Sequence, residues 1–71
     1  MSENTIGAKV RTIRETHGYS REHVAFNVGV STSTIIRLEM ESRVPNAYTL
    51  KRIADLLDTT VDDLLTGEAT T

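Results

Sequence analysis

Thr32, Ser33, Ile36 and Arg37 stand at i, i+1, i+4 and i+5, a spacing that gathers four side chains on one face of a helix. Their chemistry is that of base recognition. Hydroxyls can donate to or accept from either kind of base, arginine can bind guanine O6 and N7 with two hydrogen bonds, and an aliphatic group can pack on a thymine methyl. No acidic residue shares the face, and it begins at a helix N-terminus, whose free N–H groups and dipole attract phosphate. The same four residues would equally make an ordinary solvated face with one stray isoleucine. Composition alone favours the solvated face; an exposed Ile36 and the staples on both helices narrow that margin without reversing it.

Other chemistries find little footing. His17 and His23 are six apart, which does not put them on one helical face, and the chain has no cysteine. Ser31 and Ser33 have no histidine near them in sequence, and there is no glycine-rich phosphate loop. No enzymatic activity, metal or cofactor is expected.

Five short helices must position the recognition face. Ile6, Val10 and Ile13 follow helical periodicity up to Gly18, a natural left-handed cap. Ser20 caps a second segment with Val24, Ala25 and Val28 inward, ending at Gly29, and Ser31 caps a third with Ile35 and Leu38 inward. Tyr19 with Val24, and Val30 with Ile35, have hydrophobic-staple spacing. Pro45–Asn46 opens a fourth helix carrying Leu50, Ile53, Ala54 and Leu57, and Thr60-x-x-Asp63 opens a fifth carrying Leu64 and Leu65. The expected class is all-α, with a disordered arm over 1–5, one domain over 6–66 and a flexible tail over 67–71. The stretch from Ser20 to Glu39, broken at Gly29-Val30-Ser31, is a helix-turn-helix pattern, with its second helix over 31–40.

The 71 residues carry eight basic and ten acidic side chains, net −2, which weighs mildly against a nucleic-acid partner. Position changes that weight. Residues 1–5 hold −1, residues 6–43 hold +2, and residues 44–71 hold −3, so the helix-turn-helix part is basic and the remainder acidic. A footprint this modest predicts few phosphate contacts and a shallow salt dependence. No apolar run approaches the ~18 residues of a membrane span, and the polar start MSENT lacks signal-peptide features. A cytoplasmic location and no membrane partner are expected.

The stretch from Ile6 to Leu65 resembles the Cro and lambda-repressor type of helix-turn-helix domain, also called the XRE type. The likeness rests on IGAKVRTIRETHGYS, REHVAFNVGVSTSTIIRLEMESRVPN and TLKRIADLLDTTVDDLL. Within these, the Ala25–Gly29 spacing, the Val-Ser start of helix three, the Ile35/Leu38/Glu39 triplet, the Pro45–Asn46 restart and the closing Val-x-Asp-Leu-Leu all match.

The resemblance implies a five-helix DNA-binding domain whose third helix enters the major groove of an operator. Thr32, Ser33 and Arg37 then occupy base-reading positions with Ile36 beside them. Arg21, Thr34 and Arg43 occupy phosphate-contact positions, and Arg14 and Glu39 form a structural ion pair. Arg21 departs from the usual glutamine. Glu41 and Asp58 stand where glycine is common, so a left-handed backbone at Glu41 would be strained. Pairing on two half-sites implies a homodimer, with Val44, Tyr48, Val61 and Leu65 as candidate interface residues, although Val61 and Leu65 could equally complete the core. The resulting reading is a sequence-specific transcriptional regulator, a repressor, acting on double-stranded DNA. The alternative is a protein-interaction module of the same fold, an antitoxin or co-regulator working through a protein partner.

Overall fold

The computed structural model describes residues 5–66, and within them the chain forms five helices and no strand. They are α1 (Ile6–His17), α2 (Arg21–Val28), α3 (Thr32–Glu41), α4 (Ala47–Leu56) and α5 (Val61–Thr66). Helices of this length are marginal alone, so each depends on its caps and on tertiary packing.

The caps are hydroxyls and one amide. Thr5 Oγ1 accepts from the Ala8 N–H at 3.1 Å, Ser20 Oγ from His23 at 2.9 Å, and Ser31 Oγ from Thr34 at 3.3 Å. Asn46 Oδ1 accepts from Thr49 at 2.8 Å and Thr60 Oγ1 from Asp63 at 3.1 Å. Thr5 is thus the N-cap of α1, which corrects its expected place in a disordered arm. The rest of that arm, residues 1–4, and the expected tail over 67–71 lie outside the described residues. Ser31 caps α3 as expected, and the helix runs one residue beyond the expected end at Met40, to Glu41.

That extra residue removes the strain expected at Glu41. Glu41 is helical, and the left-handed position is Ser42, with φ 53°. Asp58 does adopt positive φ, at 61°. Gly29, with φ 82°, makes the turn between α2 and α3, and its N–H donates to the Ala25 carbonyl at 2.9 Å.

The core is one cluster drawn from all five helices. Val10, Val24, Ile35, Leu38, Ile53, Leu57 and Leu64 are its largest fully buried side chains. Burying each such side chain contributes about 1.5–3 kcal/mol. Tyr19 and Val30, the residues at staple positions, pack against this cluster. Helix α1 packs on α3 and α5, α2 packs on α3 and α4, and α4 packs on α5. At the α1–α3 contact Gly7 is required by space, since a Cβ there would run into the carbonyl oxygens of Leu38 and Glu39. The Gly7 N–H donates to Ser42 Oγ at 3.3 Å, tying the start of α1 to the end of α3. No described helix is long and apolar enough to cross a membrane.

Candidate nucleic-acid interface

The rotation of α3 about its axis follows from its buried residues. Ile35 and Leu38 are wholly buried, which turns the opposite face to solvent. On that face Ser33, Ile36 and Arg37 are exposed and Thr32 is half-buried. Arg37 makes no ion pair among the described residues, so its guanidinium is available to an incoming partner. Thr34 is half-buried, and its hydroxyl lies 3.1 Å from the Ser31 hydroxyl. Beyond the helix, exposed Arg43 approaches Glu41 only to 3.8 Å, a loose surface pair worth less than about 1 kcal/mol.

Beneath this face lies a buried ionic network. The Glu39 side chain is fully buried, and Arg14 grips it through Nε to Oε2 at 2.6 Å and Nη2 to Oε1 at 3.1 Å. This two-bond geometry is the strong form of the arginine–carboxylate pair. Hydrogen bonding to Glu39 raises the Arg14 pKa above the ordinary arginine value despite opposing desolvation, with the Glu39 and Glu15 charges adding to the rise. Arg14 Nη1 also donates to the Tyr19 carbonyl at 2.8 Å, fixing the α1–α2 loop.

Arg21 joins the same network. Its Nε donates to Glu39 Oε1 at 3.0 Å, and its side chain is one-third exposed. One carboxylate thus faces two guanidiniums, while Glu15 and Glu22 line the same side. Sequence reasoning assigned Glu39 to Arg14 alone; glutamine at position 21 would bring no second charge to it.

Arg21, Thr32 and Ile36 line an open depression between α3, the start of α2 and the side of α1, where Arg11 and Glu22 complete the rim. Glu15 also reaches it, 3.1 Å from Arg11 and 3.8 Å from Arg14. The involvement of Arg11 was not foreseen, because it stands on a different helix and only packing brings it beside α3.

Further side chains were missed. Phe26 is 85% exposed on α2, a position that the inward assignment of Val24, Ala25 and Val28 already turned outward. His17 and His23, apart in sequence, both meet Tyr19, with ring centroids 5.3 and 4.6 Å away. His17 Nε2 donates to the Leu57 carbonyl at 2.9 Å, so that ring pins the end of α1 to the end of α4. Of the candidate interface residues, Val44, Tyr48 and Leu65 are exposed, while Val61 is partly buried against the core. No group of three potential metal ligands occurs among the described residues.

Known proteins share this arrangement. Residues 10–64 match the helix-turn-helix family model. The uncharacterized HTH-type transcriptional regulator YazB of Bacillus subtilis is 32% identical over 62 residues, covering 87% of this chain and 90% of its own. The structure of the P22 c2 repressor bound to synthetic operator 9T superposes with a TM-score of 0.84 at 27% identity, over 89% of this chain and 96% of that one. The N-terminal DNA-binding domain of SinR from Bacillus subtilis gives 0.80 at 28% identity, over 87% and 91%. By name the first is a transcriptional regulator, the second a repressor bound to an operator and the third a DNA-binding domain. With its five helices and its helix-turn-helix at α2 and α3, the chain belongs to the XRE-type helix-turn-helix family of DNA-binding transcriptional regulators.

Proposed function

We propose that the protein is a sequence-specific repressor that reads the major groove of double-stranded DNA with α3. The observation that carries this is the unpaired Arg37 beside Thr32 and Ser33 on an exposed helix face, with Arg21 anchored at its flank. Arg37 binds a guanine edge through two hydrogen bonds, and Thr32 and Ser33 read neighbouring bases. Arg21, Thr34 and Arg43 hold the flanking phosphates, Arg21 through the guanidinium nitrogens that Glu39 leaves free. The P22 c2 repressor, at 27% identity, bound to synthetic operator 9T supports this use of the fold.

A domain of this size spans few base pairs, so two copies acting on half-sites about 34–36 Å apart would supply specificity. Exposed Val44, Tyr48 and Leu65 are the surface offered for pairing; Val61 contributes less, since it faces the core. Repression then follows from occupancy of the operator in the cytoplasm, with protein concentration or a regulatory protein partner as the control.

A protein-interaction module is the second reading, favoured by the exposure of Phe26 and Met40. Amide chemical shifts recorded while duplex DNA is added separate the two. Perturbations centred on Thr32–Arg37 and Arg21 are expected. A spectrum unmoved by any duplex would leave the protein-interaction module standing.

A further inference from the structure

The depression between α1, α2 and α3 is electrically balanced. Arg11, Arg14 and Arg21 line it together with Glu15 and Glu22, and Glu39 beneath takes two of the arginines. Two of these carboxylates have a structural reason to be there. Glu39 closes the α1–α3 contact, and Glu22 sits in the first turn of α2, where the helix dipole favours an acid. Glu15 has no such reason. It lies in the last turn of α1, where the dipole disfavours an acid, and Arg11 precedes it by four residues, the weaker order for a helical pair. Both side chains are about half exposed, with Arg11 Nε 3.1 Å from Glu15 Oε2. A phosphate reaching for Arg11 would therefore meet a carboxylate beside the same guanidinium, and the pair offers a DNA backbone no net charge. Arg14, 3.8 Å from Glu15, is committed to Glu39.

We propose that Glu15 is an affinity-limiting residue: by neutralising Arg11 it withholds one cation from the DNA backbone and holds down the affinity for every sequence alike. This rests on the DNA-reading function above and concerns the grip on phosphate, not the bases that α3 reads. Phosphate contacts carry no sequence information directly, so a weak grip leaves discrimination to the base contacts.

The test measures affinity against salt for the full chain on two duplexes, one enriched from random DNA and one of scrambled sequence. Glu15→Gln keeps the size of the side chain and removes its charge. It is expected to tighten binding severalfold at low salt on both duplexes, and to steepen the log–log slope by about 0.9, the worth of one further phosphate. Adding Arg11→Ala to Glu15→Gln is expected to return the slope to its wild-type value, because Arg11 supplies the new contact. The thermal midpoint of Glu15→Gln should equal or exceed that of the wild type, since an acid leaves a C-terminal turn; a pair that served stability would lower it. An unchanged slope in Glu15→Gln, with or without a lowered midpoint, would overturn the inference while leaving DNA reading intact. A steeper slope that persists in the double variant would overturn the role of Arg11. Wild-type protein that enriches and binds no duplex would remove both this inference and the function on which it rests.

Discussion

Arg21 Nε donates to Glu39 Oε1 at 3.0 Å, on the carboxylate that Arg14 already holds with two bonds. The contact links a surface residue at the start of α2 to the buried pair that joins α1 to α3. Glu39 therefore has two tasks, closing the α1–α3 contact and restricting the rotamers of Arg21. An arginine held in this way loses less conformational entropy when it meets a phosphate. Arg21 lines the depression beside Thr32 and Ile36.

Removing charge from Glu39 should expose this division of labour. Glu39→Gln leaves the buried Arg14 without its counter-charge and should cost about 3–5 kcal/mol in urea unfolding. Arg21→Gln should cost under about 1 kcal/mol of stability, because Arg21 is partly solvated, yet weaken DNA binding severalfold. Arg14 itself adds no pH slope near neutrality. Its folded pKa is raised above the ordinary arginine value, so its contribution is complete at every pH below that value and is lost only at extreme alkaline pH.

Gly7→Ala should destabilise the fold by about 1–3 kcal/mol, since the added methyl meets the Leu38 and Glu39 carbonyls and α1 must shift. Thermal unfolding measures it. Loss of the Gly7–Ser42 hydrogen bond would move with the same shift, so a crystal structure of the variant should show α1 displaced relative to α3.

Local signals carried the fold, and packing carried the rest. Ser20, Gly29, Ser31 and Asn46 announced helix ends because a cap needs only neighbours in sequence. The place of the left-handed residue after α3 was missed because Ser42, which also accepts from Gly7, fills a position assigned to Glu41. The helical period placed Thr32, Ser33, Ile36 and Arg37 on one face. It could not show Arg21 reaching Glu39, or Arg11 beside α3, since both depend on how helices distant in sequence pack.

Arg37→Ala should lower operator affinity by about 1–3 kcal/mol and relax specificity at one base pair. Arg43→Ala should weaken all duplexes alike, which competition binding against a panel of single-base variants would distinguish. An Arg37→Ala variant that keeps full affinity and specificity would remove its base-reading role.

Salt should affect binding only moderately. Arg14 is buried, Lys9 is directed to the Asp63 carbonyl at the end of the fold and Arg11 is paired with Glu15 at 3.1 Å, so Arg21, Arg37 and Arg43 remain as the main cations of the face. With Arg37 on a base edge, about two neutralised phosphates per protomer, at Arg21 and Arg43, predict a log–log slope of roughly −2 per protomer. A slope twice as steep in an anisotropy titration would mean a larger footprint than these residues supply.

Selection of bound duplexes from random DNA by the full chain tests the central claim most directly. The expected result is a single enriched motif of two related half-sites about one helical turn apart, degenerate at one base pair of each half-site when Arg37→Ala replaces the wild type. Recovery of unenriched random sequence, from wild-type protein that is folded and at micromolar concentration, would contradict sequence-specific DNA reading by α3.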